Sequence, residues 1–268
     1  MTANASTLLE AAQEVARVAG DVAVRHFGTR LVVDTKSDGS PVTAADREAE
    51  GTAREWIERR FPGDGILGEE FGLARPDARR RWVLDPIDGT KTFIRGVPLY
   101  GSLVAVLDGE DVLAGAAYFP SLGELLAAAP GMGCWWNGSK AQVSTTSAIT
   151  GATVLTSDER FQQSAQQREA WCRLAGQAAL SRSWGDCYGY LLVATGRAEV
   201  MVDGVLSPWD AAAFLPIIEE AGGVFTDWGG RRTIFGGSAI ATNRALTVAA
   251  RSLLHGVSPE EDGADRHG

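Results

Sequence analysis

The chain has 268 residues, 45% of them hydrophobic and 22% charged, which suits one large domain or two closely joined halves around a real core. A formal net charge of -9 argues against non-specific binding to nucleic acid or anionic membranes. Three cysteines, odd in number and widely spaced, show no disulfide framework or zinc spacing, and none of the three histidines lies beside a candidate nucleophile, which argues against a His-rich zinc site and a Ser-His-Asp triad. The cysteine usage and the lack of a leader pattern or long apolar run predict a cytoplasmic protein that neither enters nor spans a membrane.

Leu8, Leu9, Ala12, Val15, Ala16, Ala19, Val22 and Ala23 recur at helical spacing. Thr7 and Glu10 fit a capping box at the start of this helix, and Gly28 closes it. A short strand is expected from Leu31 to Asp34, then a turn at Asp38-Gly39-Ser40-Pro41. A second amphipathic helix follows from about Thr43 to Arg60. From Gly65 to Cys134 the pattern is mostly strand: Trp82–Leu84, Gly101–Leu107, Val112–Phe119 and Leu125–Ala129, with a hairpin turn at Asp108-Gly109.

Near Gly151 the pattern becomes alternating. A strand (Thr153–Thr156), a helix (Arg160–Gly176), a helix (Asp186–Thr195), a strand (Glu199–Val202), a helix (Pro208–Ala221), strands near Val224 and Ala239 and a helix (Arg244–Leu254) are expected. The first half therefore reads as α+β (1–150) and the second as α/β (151–256), together one catalytic unit over 1–256, followed by an acidic, polar and disordered tail over 257–268.

Chemistry concentrates in Asp85-Pro86-Ile87-Asp88-Gly89-Thr90, which places two carboxylates and a hydroxyl at the end of an apolar run. Pro86 turns the chain, so Asp88 can come back toward Asp85 with the Ile87 carbonyl beside them. If a short helix starts here, the Gly89 and Thr90 amides can face a phosphate oxygen. Glu69-Glu70 and Trp209-Asp210 add carboxylates, although Ser207-Pro208-Trp209-Asp210 also reads as a helix cap. Such oxygen donors suit Mg²⁺.

Five motifs in order carry a resemblance: Lys36 with Ser40-Pro41-Val42-Thr43-Ala44-Ala45-Asp46, then Gly68-Glu69-Glu70, Asp85 to Thr90, Trp209-Asp210, and Glu220-Ala221-Gly222-Gly223. Over roughly Leu8 to Leu254 the chain resembles the inositol monophosphatase superfamily of metal-dependent phosphatases. The resemblance implies a layered αβαβα sandwich, a homodimer and two or three Mg²⁺ ions, for which Mn²⁺ can substitute. It implies that Glu70, Asp85 and the Ile87 carbonyl hold the first ion, that Asp85, Asp88 and Asp210 hold the second, and that a third shares Glu70. Thr90 and Asp46 would orient and help deprotonate the attacking water, with Lys36 as a further site residue. Asp88, Gly89 and Thr90 would face the phosphate.

Gly185-Asp186-Cys187-Tyr188-Gly189-Tyr190 and Arg95-Gly96-Val97-Pro98 look like the histidinol-phosphate phosphatases of this superfamily. Asp186 and Asp203 would then bind the cationic head group of L-histidinol phosphate. Asp186 also reads as a helix N-cap, Asp203 as a turn acid, and Trp184 and Tyr188 as core. The alternative substrate is inositol phosphate or another small sugar phosphate.

Overall fold

The computed structural model describes residues 4–30, 32–36, 39 and 41–255. Helix α1 spans Ala5–His26, and its cap lies three residues before the expected one at Thr7. Asn4 is the cap, and its side chain accepts the Thr7 amide at 2.8 Å. The ribbon β1 (Val33–Thr35) and β2 (Pro41–Thr43) delivers the chain to α2 (Ala44–Arg60). Next come β3 (Gly65–Gly68), β4 (Gly72–Ala74), β5 (Arg80–Asp88), the one-turn α3 (Thr90–Phe93), β6 (Gly101–Asp108), β7 (Asp111–Phe119), β8 (Glu124–Ala128), β9 (Cys134–Trp136) and β10 (Ser139–Lys140). The second half contains β11 (Thr153–Leu155), α4 (Ala165–Gln177), β12 (Leu180–Arg182), α5 (Cys187–Ala194), β13 (Val200–Asp203), α6 (Pro208–Ala211), α7 (Phe214–Glu220), β14 (Gly223–Thr226), β15 (Ala239–Asn243) and α8 (Thr247–His255). Leu31, Asp38, Ser40 and the 257–268 tail lie outside the described residues.

Five layers follow from the two-sided burial of the sheets. Strands β3 to β10 form an eight-stranded sheet in the order β10-β9-β8-β7-β6-β5-β3-β4, and β11 to β15 form a five-stranded sheet in the order β12-β11-β13-β15-β14. Trp82, Leu84, Val104 and Val106 on one face of the large sheet meet Leu8, Ala12, Val15, Ala49 and Ile57 of α1 and α2. Val83, Leu103, Ala105 and Phe119 on its other face meet α5 and α7 through Tyr190, Leu191, Phe214 and Ile217. The same middle layer covers the small sheet through Met201, Phe225 and Ala241. Val154, Val200, Val202 and Ile240 on the outer face of the small sheet are covered by Trp171 and Leu174 of α4 and by Ala250 and Leu254 of α8. The result is the layered αβαβα sandwich that the resemblance implied.

Two expected helices differ in instructive ways. The span Pro208–Ala221 divides into α6 and α7 around Ala212 and Ala213. Pro216 has no N–H to give the Ala212 carbonyl, and its ring crowds that carbonyl. The span Arg160–Gly176 begins as helix only at Ala165, because Phe161 takes a left-handed conformation (φ 41°) and Ser164 then caps α4. No helix among the described residues is long and apolar enough to cross a membrane.

Candidate metal centre and substrate cleft

Strand β5 carries the acidic hexapeptide further than its apolar run suggests. Pairing with β6 continues to Asp85, breaks, and resumes at Asp88 opposite Gly101. The Pro86 carbonyl, displaced from the ladder, accepts the Ser102 hydroxyl at 2.6 Å. This irregularity turns both aspartates to one side. Asp85 folds back so that its Oδ1 accepts the Ile87 amide at 3.0 Å. Gly89 holds a left-handed conformation (φ 85°), which lets α3 start at once with Thr90.

Asp210 arrives from the other half. It is the third residue of α6, and its Oδ2 accepts the Ser207 amide at 2.8 Å in a capping box. The cap and the site reading are therefore both true, since Oδ1 remains for other work. Carboxylate oxygens of Asp85, Asp88 and Asp210 all lie within 4.8 Å of one another. Burial raises the pKa of each well above or above the usual carboxylate range, and the neighbouring acids add to this. Three converging carboxylates, Asp85 buried and Asp88 and Asp210 half-buried, repel one another unless a cation or protons sit among them, and a hard divalent cation fits this oxygen donor set.

The adjacent glutamates separate by role. Glu69 lines the cleft with Asp85, Ile87, Asp88 and Asp210. Burial pushes its carboxyl up to about 7 against the pull of Lys36, with Asp210 and Glu70 adding to the rise. Glu70 instead lies beneath Lys36 with its side chain 4% exposed, and its own amide is held by Glu50 Oε2 at 2.7 Å. The expected ligand is Glu70; of the two glutamates that follow β3, it is Glu69 that lines the cleft with the aspartates, while Glu70 is paired with Lys36. Lys36 Nζ bridges both, at 2.7 Å to Glu69 and 2.6 Å to Glu70. Burial opposes the charge on Lys36, but the two carboxylates outweigh it and hold its pKa above the ordinary value.

Asp46 is also the third residue of a capping box. Its Oδ2 accepts the Thr43 amide at 2.7 Å and the Thr43 hydroxyl at 2.6 Å. Its Oδ1 is left facing Thr90, whose hydroxyl lies 3.4 Å from it and 3.0 Å from the Ile87 carbonyl. Burial raises the Asp46 pKa, with Thr43 opposing.

Beside the acidic cluster opens a cavity of about 480 Å³, lined among others by Asp88, Lys91, Ser157, Asp186, Asp203 and Asp210. Asp186 occupies the N-cap position of α5 but makes no capping bond. Its carboxylate accepts the Thr92 hydroxyl at 3.2 Å, and its backbone is held at φ 49° by a 2.7 Å bond from its amide to Ser157 Oγ. Asp203, expected as a turn acid or a ligand, is a buried acceptor for the Ser157 amide at 3.1 Å and the Tyr190 hydroxyl at 2.8 Å. Burial pushes its carboxyl up to about 6. Tyr188 packs against Phe119, while Trp184 is exposed. Lys91 and Ser157 escaped the sequence reading; Lys91 follows Thr90 and Ser157 follows the end of a strand, and nothing in the spacing marks them.

Residues 4–258 match the sequence profile of the inositol monophosphatase family. The chain belongs to the inositol monophosphatase family. A histidinol-phosphatase of Chlorobaculum parvum is 45% identical, over 94% of this chain and 97% of its own length. Another, of Mycobacterium tuberculosis, is 37% identical over 90% of this chain and 93% of its own. Among solved structures, an inositol monophosphatase from Zymomonas mobilis superposes with a TM-score of 0.82 at 33% identity, covering 92% of this chain and 97% of that one. As an inositol monophosphatase-family member the chain is a metal-dependent phosphoric monoester hydrolase, and among the described residues Asp85, Asp88 and Asp210 form a carboxylate group compact enough to hold a metal ion.

Proposed function

We propose that the chain hydrolyses L-histidinol phosphate to L-histidinol and inorganic phosphate, with Mg²⁺ as cofactor, as a cytoplasmic step of histidine biosynthesis. The observation that carries this reading is the cavity that opens directly from Asp88 and Asp210 and is lined by Asp158, Asp186 and Asp203. An acid-lined cavity suits a leaving group that bears an ammonium and an imidazole, whereas inositol offers only hydroxyls. The similarity to two histidinol-phosphatases supports the same substrate.

Glu69, Asp85, Asp88 and Asp210, with the Ile87 carbonyl, would hold the cations. When bound, such cations neutralise the phosphoryl group and acidify the attacking water. The chain supplies the rest. Asp46 Oδ1 draws on the Thr90 proton, so that Thr90 Oγ1 can take a proton from the water. Lys36 fixes the Glu69 carboxylate, and Asp186 holds the ammonium of the leaving alcohol. The halves form one catalytic unit on this reading, since Asp85 and Asp88 come from the first and Asp186 and Asp210 from the second.

The test is phosphate release with added Mg²⁺ from L-histidinol phosphate and from inositol 1-phosphate. A clear excess of kcat/KM for the first ester is expected. Equal rates, or a preference for inositol 1-phosphate, would replace this reading with a sugar-phosphate one.

A further inference from the structure

One wall of the head-group cavity takes no part in holding cations or activating water. It is the segment from Asp158 to Gln167, where the chain leaves β11 and enters α4. Phe161 holds a left-handed conformation (φ 41°) that a bulky residue adopts only when its surroundings enforce it. Its ring lies 6.1 Å from that of Trp171 and 6.0 Å from that of Trp228, which anchors the segment to the outer layer. Ser164 then caps α4 by accepting the Gln167 amide at 3.2 Å. Gln167 is thereby placed in the first helical turn, against the cavity.

The carboxamide of Gln167 comes close to the opposite side. Its Oε1 lies 2.7 Å from where a Cβ on Gly204 would sit, so a side chain at 204 would displace it from this position. Gly204 follows Asp203, and the two oxygens of Asp203 are already engaged by Ser157 and Tyr190. Among the described residues the Gln167 carboxamide has no hydrogen-bond partner, although Gln167 is half-buried. Gln162 and Gln163, by contrast, are exposed. A half-buried carboxamide that no protein group engages is open to solvent and free to pair with a bound ligand. It offers both a donor and an acceptor, as a neutral heteroaromatic ring requires.

We propose that Gln167 hydrogen-bonds a ring nitrogen of the substrate's alcohol moiety and so is a specificity-determining residue, a role that rests on the histidinol phosphate reading above. Asp186 then serves the ammonium and Gln167 the imidazole, at separate places in one cavity. Gln167 acts on which ester is selected and leaves the phosphoryl group to the metal cleft.

The experiment uses the full chain with Mg²⁺ and the variant Gln167→Leu, which keeps side-chain bulk and helix propensity. It compares kcat/KM for L-histidinol phosphate with that for glycerol 2-phosphate, and the inhibition constants of the products L-histidinol and inorganic phosphate. The ratio of the two kcat/KM values is expected to fall about 10- to 100-fold, and the inhibition constant of L-histidinol to rise about tenfold or more, while that of phosphate holds. A high wild-type ratio that the leucine variant retains overturns the role of Gln167 alone. Parallel weakening of L-histidinol and phosphate inhibition also overturns it, since that marks a general structural lesion. A wild-type ratio near one overturns the substrate reading and this role with it.

Discussion

Asp88 accepts a hydrogen bond from the backbone amide of Cys187, which ties the last residue of β5 to the first turn of α5. Burial and the neighbouring Asp186 and Asp210 push the Asp88 pKa up, and the Cys187 amide pulls it down. One carboxylate thus joins the acidic cleft of the large sheet to the helix that borders the head-group cavity. Asp88→Asn keeps an oxygen for the Cys187 amide, so the fold should survive. It removes one charge from the cation site, so kcat should fall by about 10²–10³-fold or more. Circular dichroism and phosphate release check both halves of this expectation, and global unfolding of the variant would contradict it.

The order of elements and the position of the acidic hexapeptide were legible because hydrophobic period and turn residues are local signals. The fate of neighbouring acids was not. Glu69 and Glu70 are equivalent in composition, and only the strand end that sets their direction tells which faces Asp85. Asp210 shows the converse: its cap motif was legible, but a cap uses one carboxylate oxygen and says nothing of the other. The late start of α4 was hidden because the helical period continues through Phe161, whose left-handed backbone depends on Trp171 and Trp228 from other segments.

The two glutamates can be separated by substitution. Glu69→Gln should raise the Mg²⁺ concentration needed for half-maximal activity by about tenfold or more, because it removes an acid that faces the cluster. Glu70→Gln neutralises only one of the two carboxylate partners of Lys36 and should move that concentration less than threefold. Titrating activity with Mg²⁺ distinguishes them. A larger effect from Glu70→Gln would return the ligand role to that residue.

Thr90→Ala should lower kcat by about 10²–10⁴-fold with little change in KM, because the hydroxyl between Asp46 and the Ile87 carbonyl handles a proton and not the substrate. Thr90→Ser keeps that hydroxyl and should restore most of the rate. Steady-state kinetics of the pair provide the check. Equal losses in both variants would show that the Thr90 methyl, and not its hydroxyl, matters.

The metal-free protein should lose stability as pH rises. Burial leads the causes that raise the folded-state pKa of Asp85, Asp88 and Asp210, and it pushes Asp203 up to about 6 and Glu69 up to about 7. A carboxyl whose folded pKa is raised contributes stability that is fully present below its unfolded value and is lost as pH climbs through the folded one. For Asp203 and Glu69 the window therefore runs from about pH 4 to about pH 7, and the three aspartates act in the same direction. Thermal unfolding in a chelator should give a lower Tm at pH 8 than at pH 5. Added Mg²⁺ should raise the Tm more at pH 8, where protons no longer compete for the same oxygens. A Mg²⁺ increment that is larger at pH 5 would contradict the assignment.

Asp186 carries a trade between stability and selectivity. Its backbone (φ 49°, ψ -153°) lies where glycine is at ease and other residues are strained, by about 1–3 kcal/mol. Its carboxyl is also buried, which raises its pKa against the pull of Thr92 and Lys91. Asp186→Gly removes both penalties, though glycine adds roughly 0.5–1 kcal/mol of unfolded-chain entropy. The balance favours the variant by about 1 kcal/mol, or a Tm higher by about 2–4 °C in a chain of this length. The same change deletes the carboxylate assigned to the ammonium, so the preference for L-histidinol phosphate over inositol 1-phosphate should drop about 10- to 100-fold. Melting curves and the two kcat/KM values test this jointly. A variant that melts lower yet keeps its preference would show that the strained aspartate serves the fold and not the ligand.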